Sequence, residues 1–192
     1  MKKRDIPKQA IFLDRDGVIN RDKGYVYLRK DFEFEKNALE GLKLIKFDQY
    51  LVFIVCNQAG IAHGYYTKND CEKLHRWLRR YLLNKKIKIT KIYYCPHHPK
   101  GKIKKFSIKC SCRKPEPGML LRAKKEYGIN LRKSYLIGDK TSDILAGKRV
   151  GCKCILVKTG YGGKDKLFSV RPDYVAKDLL EAVKIINSQE SD

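Results

Sequence analysis

Three short apolar runs in this chain break off at their C-terminal ends on polar side chains, and that repeated shape narrows the possible folds more than any other feature. AIFL (residues 10–13) stops at Asp14 and Asp16, LVFIVC (51–56) runs into Asn57, and YLI (135–137) stops at Gly138 and Asp139. Unbroken apolar runs this short suit strands covered on both faces, as in a parallel sheet. Further strands are predicted over 87–94, 152–157 and 173–175. Helical spacing fills the gaps: 38–47, a helix capped by Thr67 and running to about residue 83, 115–127 closing on Gly128, 142–150, and 178–187. Strand and helix alternate throughout, which predicts an α/β fold with a doubly wound parallel sheet. Such sheets place ligands beyond the C-terminal ends of their strands, where these polar residues fall.

The chain has 192 residues, enough for one domain with a real core, and shows no repeat, low-complexity tract or linker. Its 43 Lys and Arg against 21 Asp and Glu leave a net charge of +22. A field of that size attracts phosphate, whether on nucleic acid, a membrane or a small metabolite. Residues 2–4 (KKR) and 86–109 contribute much of it, but lysines occur almost everywhere, which reflects general composition more than a nucleic-acid groove. No segment approaches the length of a membrane span. After MKKR only AIFL precedes a charge, so a secretory h-region is missing and a cytoplasmic protein without membrane contact is expected. Seven cysteines, an odd number, then read as thiols or metal ligands before disulfides.

Side chains two apart on a strand point the same way, so Asp14 and Asp16 would face one site, with Gly17 letting the backbone turn sharply after them. Two anions held together need a cation or a proton between them. A solvated acidic turn is the blander alternative. In GDKTSD (138–143), Asp139 sits at a strand tip and Asp143 on the same face one helical turn later, although an Asp there equally serves as a helix N-cap. Oxygen ligands from two strand tips suit Mg²⁺. Arg113 and Lys114, just before a Pro-opened helix, complete an anion-binding set. An acid pair, metal carboxylates, a hydroxyl or amide turn and a lysine are what phosphoryl transfer through an aspartyl-phosphate requires. Elsewhere, Cys95-x-His97 and Cys110-x-Cys112 supply four soft ligands, the number a closed structural Zn²⁺ site takes, against the alternative of reduced loop thiols. His98 is off this pattern. Cys152 and Cys154 alternate within a strand and read as core, and Cys71, His75 and Trp77 as helix packing.

DRDG, the Cys56-Asn57-Gln58 turn, CRKP and GDKTSD, in that order and spacing, resemble the four motifs of the haloacid dehalogenase superfamily of phosphatases. The finer pattern, DRDGVIN-x-D-x-GYV, NQ-x-GIA-x-G, YYCPHHP, C-x-CRKP-x-PGML and GDK, is similar to the D-glycero-D-manno-heptose 1,7-bisphosphate 7-phosphatases and runs from about residue 10 to 160. Histidinol-phosphate phosphatases share the scaffold, but the Gly24-Tyr25-Val26 loop looks heptose-type. The resemblance implies a Rossmann-like sheet without a large cap, one phosphatase domain over 1–192, and a zinc loop at about 95–112. It further implies Asp14 as the nucleophile and Asp16 as the acid that protonates the departing sugar oxygen and later activates water. Asp14, Asp139 and the backbone carbonyl of Asp16 would hold Mg²⁺, Lys114 would neutralise the phosphoryl group, and Arg113 would read the substrate. Asp22, Lys23, Gly24, Tyr25, Asn57, Gln58, Ala59 and Lys140 would line the substrate site, and the Cys/His quartet would bind structural zinc. Cys56 stands where the family carries a threonine that donates to the phosphoryl oxygen, and a thiol is a weaker donor. The expected partner is a small sugar phosphate and the expected state a monomer. The alternatives are a histidinol-phosphate or nucleic-acid 3′-phosphate phosphatase, and a basic zinc-ribbon binding module whose acidic pairs are structural.

Overall fold

A computed structural model of the chain describes residues 8–189, so the basic residues 2–4 lie outside it. Six strands form one all-parallel sheet: β1 (Gln9–Leu13), β2 (Tyr50–Asn57), β3 (Lys91–Cys95), β4 (Tyr135–Gly138), β5 (Lys153–Val157) and β6 (Tyr174–Ala176), in spatial order β3-β2-β1-β4-β5-β6. The helices are α1 (Ala38–Lys43), α2 (Gly60–His63), α3 (Lys68–Asn84), α4 (Gly118–Tyr127), α5 (Thr141–Lys148) and α6 (Leu179–Ser188). The order reverses on either side of β1, so the switch point of the sheet lies between β1 and β4, beyond whose C-terminal ends Asp14 and Asp139 emerge.

The apolar runs are buried on both faces, as predicted. Ile11, Leu13, Val52, Ile54 and Cys56 pack on one side with Leu78 and Leu82 of α3, Leu42 of α1 and Val183 and Ile186 of α6. Ala10, Phe12, Phe53 and Val55 pack on the other with Met119, Leu120 and Ala123 of α4 and Ile144 of α5. The connections between strands are helices and loops, with no inserted cap domain among the described residues.

The differences from the sequence reading are local. The predicted helix at 115–127 begins only at Gly118, because Lys114 and Glu116 each precede a proline and are pushed out of helical geometry. The strand predicted at 87–94 starts at Lys91. Ile87 and Ile89 are buried, but in the core beside α3 and not in the ladder. The helix predicted over 38–47 ends at Lys43, and turns carry the chain from there to β2. Thr67 caps α3 through a reciprocal bond with Asp70, and Gly128 closes α4 in the left-handed conformation, both as read from sequence.

Candidate active site

A cavity of about 500 Å³ opens over the C-terminal ends of the central strands. Its floor is built by three loops meeting at one lysine. Lys114 is almost wholly buried; its ammonium group forms ion pairs with Asp14 Oδ1 (2.9 Å) and Asp143 Oδ1 (2.6 Å) and donates to the Val55 carbonyl (2.7 Å). The β2 tip fixes this lysine: Asn57 Nδ2 donates to the Lys114 carbonyl at 3.0 Å, and the Lys114 N–H donates to Asn57 Oδ1 at the same distance. Burial works against the ammonium charge, but Asp14 and Asp143 outweigh it and hold Lys114 protonated above its ordinary range. Burial pushes Asp14 up to about 6, Lys114 pulling it down and Asp143 and Asp16 pushing it further up.

Carboxylate oxygens of Asp14, Asp139 and Asp143 lie within 4.8 Å of one another, all buried. One oxygen of Asp139 accepts from the Tyr161 N–H at 2.8 Å, and the other, Oδ1, is buried with no hydrogen-bond partner. Burial, reinforced by Asp143 and Asp14, pushes Asp139 up to about 8. Three hard oxygen donors, with Asp139 Oδ1 and Asp143 Oδ1 both buried without a hydrogen-bond partner beyond the latter's ion pair with Lys114, fit a divalent cation such as Mg²⁺. The backbone makes room for this cluster with two glycines. A Cβ on Gly17 or on Gly160 would stand 2.3 Å from Asp139 Oδ2, and both residues have positive φ (86° and 58°). Asp143 is not the N-cap of α5, which is Lys140; it stands three residues on, where its Oδ2 accepts from the Lys140 N–H at 3.0 Å and its Oδ1 lies 2.6 Å from Lys114 Nζ.

Asp14 and Asp16 do line one cavity, but their carboxylates have different company. Asp16 is turned to the Arg15 guanidinium, to Asn20 Nδ2 (2.9 Å) and to Gln58 Nε2 (3.3 Å), outside the carboxylate trio. Asp22, Gly24, Tyr25, Asn57, Gln58, Ala59, Arg113 and Lys140 all reach the cavity, and Lys140 Nζ pairs with Asp22 at 3.0 Å across it. Two expected residues do not reach it. Lys23 points outward and pairs with Glu33 at 2.8 Å, because the left-handed turn at Gly24 aims Asp22 and Tyr25, not Lys23, at the site. Cys56 is buried behind the cavity, its thiol 3.8 Å from the Tyr93 carbonyl and 3.9 Å from His75 Nε2. The pleat of β2 sends it, like Ile54, to the α3 face of the sheet, so it does not occupy the donor position expected of it.

Sequence reasoning missed Tyr66, whose hydroxyl donates to Gln58 Oε1 at 2.7 Å, and the segment carrying Tyr161, Asp165 and Phe168. That segment roofs the cavity from the β5–β6 connection, held by Asp165 accepting from the Thr141 N–H and hydroxyl (2.9 and 2.7 Å). It has no periodicity, and only its run of glycines signalled a special backbone.

Beside the cavity, Cys95, His97, Cys110 and Cys112 converge. The sulfur of Cys112 is 3.1 Å from that of Cys95 and 3.4 Å from that of Cys110, and 3.5 Å from His97 Nδ1. Ligands at tetrahedral corners around an ion of the zinc type stand roughly 3.3–3.8 Å apart; apart from the shorter Cys95–Cys112 pair these separations fall in that range, and all four donors lie within 4.8 Å of one another, so the set suits such a metal. The close contact of Cys95 and Cys112 lowers the thiol pKa of Cys112 and raises that of Cys95. His98 stays outside the quartet, its Nδ1 accepting from the Lys100 N–H. Cys152 and Cys154 are core residues, as expected.

The HAD-hydrolase-like family model matches residues 111–182. A protein of Photorhabdus laumondii named D-glycero-alpha-D-manno-heptose-1,7-bisphosphate 7-phosphatase is 47% identical over 154 residues, covering 80% of this chain and 84% of its own. A Pasteurella multocida protein named D-glycero-beta-D-manno-heptose-1,7-bisphosphate 7-phosphatase is 41% identical, covering 96% of this chain and all of its own length. Among solved structures, the D,D-heptose 1,7-bisphosphate phosphatase from B. bronchiseptica complexed with magnesium and phosphate superposes with a TM-score of 0.82 at 27% identity, covering 94% of this chain and 99% of that one.

Proposed function

We propose a mechanism from the premise that the chain belongs to the D-glycero-D-manno-heptose-1,7-bisphosphate 7-phosphatase family of haloacid dehalogenase-like hydrolases. It is a phosphatase that hydrolyses the C7 phosphate of a heptose 1,7-bisphosphate. The observation that carries the mechanism is Asp14, a buried carboxylate on the cavity floor, paired with Lys114 and grouped with Asp139 and Asp143.

Asp14 attacks phosphorus, the bond from phosphorus to the C7 oxygen breaks, and Asp16 gives its proton to that oxygen. Water then attacks the phosphorus carried on Asp14, Asp16 takes a proton from it, and free phosphate leaves with Asp14 restored. Lys114 supplies a fixed positive charge beside the transferring group without reorganising, because it is buried and already held by two ion pairs and the Val55 carbonyl. Asp14, Asp139 and the Asp16 carbonyl would hold Mg²⁺, with Asp143 adjoining. When bound there, Mg²⁺ neutralises charge on the phosphoryl oxygens. Asp22, Tyr25, Gln58, Arg113 and Lys140 form the walls against which the sugar and its second phosphate would be read. The quartet of Cys95, His97, Cys110 and Cys112 would take structural Zn²⁺ and fix the backbone next to Arg113 and Lys114. We assign one domain over residues 1–192, a monomer in the cytoplasm. Support for the compartment comes from seven cysteines, an odd number, none of them joined in a disulfide among the described residues.

The test is phosphate release from both anomers of heptose 1,7-bisphosphate, from histidinol phosphate and from a 3′-phosphorylated oligonucleotide, with and without Mg²⁺. Mg²⁺-dependent release from a heptose bisphosphate in excess of the others is expected. Preference for histidinol phosphate would overturn the substrate.

A further inference from the structure

Arg15 separates the two motif carboxylates, and the mechanism above gives it no task. Strand alternation points it away from the cavity, beneath α3, where it is 0% exposed and heads the fully buried side chains by volume. A guanidinium is costly to bury unless its charge is paired and its donors are used. Here they are used on three structures at once. Nη2 donates to both oxygens of Asp16 at 2.9 Å, with Nε 3.3 Å from Oδ1. Nη2 also donates to the carbonyl of Val26 at 2.7 Å, and Nη1 meets His75 Nε2 at 3.1 Å.

We propose that Arg15 is a positioning residue for the reaction, holding the Asp16 carboxylate and the substrate loop in fixed relation, and that His75 aims its guanidinium. The proposal rests on the reading of Asp16 as proton donor to the sugar oxygen. Val26 directly follows Tyr25, which lines the cavity, so one planar fork ties the proton donor to the loop that meets the sugar. His75 receives Arg15 as a neutral ring: burial, with the Arg15 charge added, keeps it well below the usual imidazole range. Its Nε2 therefore accepts, which leaves the proton on Nδ1, 3.8 Å from the Cys71 sulfur. A lysine could keep the positive charge here. It could not reach Asp16, Val26 and His75 together, because an ammonium is a point donor on a flexible stem.

A general acid works only within hydrogen-bond reach of its oxygen, and a displacement of about 1 Å costs on the order of 10²-fold. The test compares Arg15→Lys with wild type on heptose 1,7-bisphosphate, whose alkoxide needs a proton to leave, and on p-nitrophenyl phosphate, whose phenolate does not. The quantity read is kcat/KM, which ends at phosphoryl transfer to Asp14 and so excludes the later hydrolysis common to both substrates. Arg15→Lys is expected to lose roughly 10²-fold on the sugar phosphate and far less on the aryl phosphate. In an Asp16→Asn background it should cost nothing further on the sugar phosphate, since a residue acting through Asp16 has then nothing to act on. His75→Leu should show the same selective loss, and His75→Gln, which keeps an acceptor for Arg15, should restore it. The His75 pair reads the same ratio if Arg15→Lys does not fold. Equal losses on the two substrates, or a loss that adds to that of Asp16→Asn, would overturn the proposal. Wild type inactive on heptose bisphosphate overturns the substrate assignment instead, before Arg15 is changed.

Discussion

Replacing Lys114 with methionine removes the charge shared by Asp14 and Asp143 while filling most of the side chain's volume. The lysine is about as exposed as a core leucine, and its partners are 2.9 and 2.6 Å away. Removing one partner of such a buried pair costs about 3–5 kcal/mol, because the remaining charges are left without compensation. In a domain this size each kcal/mol moves the melting temperature by roughly 2–4 °C, so a fall of about 6–20 °C is expected at pH 8. The effect should depend on pH in a definite direction. Burial raises Asp14 to about 6, and burial with Asp143 raises Asp139 to about 8, both from an unfolded value of 3.8. Between pH 4 and pH 8 the folded chain thus holds protons that the unfolded chain has released, and stability falls as pH rises through that window. Without Lys114 the carboxylates hold their protons more tightly still. At pH 5 the variant can stay protonated and should lose little, whereas at pH 8 it must carry the charge or take up protons. Thermal melts at pH 5 and 8 measure this, in buffer freed of divalent cations by dialysis instead of chelation, which would also strip the Cys/His quartet. Added Mg²⁺ should recover part of the loss at pH 8 and little at pH 5. A loss of equal size at both pH values would mean that Lys114 contributes packing and not charge, and the electrostatic argument would fail.

Asp14→Asn should show no turnover on any phosphate ester, since an amide forms no acyl-phosphate, whereas Asp16→Asn should retain slow transfer with kcat/KM on the sugar phosphate down by about 10²–10⁴-fold; phosphate-release kinetics check both. Gly17→Ala places a Cβ 2.3 Å from Asp139 Oδ2 at a φ of +86°, so it should weaken Mg²⁺ dependence of both activity and melting, read by Mg²⁺ titration. Cys110→Ser should lower the melting temperature and kcat/KM but leave the Mg²⁺ titration midpoint in place, and elemental analysis of the unchelated wild type should find about one zinc per chain. Cys56→Thr should change kcat by no more than a few-fold, because the new hydroxyl would face the Tyr93 carbonyl and not the substrate; a large gain would show that the thiol's place behind the cavity has been misjudged.

What could be read from sequence divides along a physical line. Residues whose position follows from strand alternation or from one helical turn were legible: the AIFL strand delivers Asp14, the YLI strand delivers Asp139, and Asp143 follows Asp139 at the spacing that lets it bond back to the Lys140 N–H and pair with Lys114. The same alternation, applied one residue further, accounts for the misplacement of Cys56 and for the position of Arg15, to which the sequence reading gave no role. Cys56 and Arg15 sit next to cavity residues in sequence, and each is sent by the pleat to the opposite face, where both meet His75. Their roles depend on α3, whose packing over β1 and β2 no local pattern announces. His75 and Cys71 were read as packing residues, which they are, but packing here also means accepting from a guanidinium that leads back to Asp16. The roof segment with Tyr161 and Asp165 was invisible for a different reason: it is irregular backbone held by hydrogen bonds to Thr141 and Asp139, contacts between parts of the chain about twenty residues apart or more. Burial explains why such distant contacts matter to chemistry. An exposed Asp16 would gain little from Arg15, since water screens surface pairs to about 1 kcal/mol or less, but a guanidinium with no exposure has no alternative partner and holds the carboxylate where the fold puts it. The fold therefore reaches the proton-donating step through a side chain that never touches the cavity.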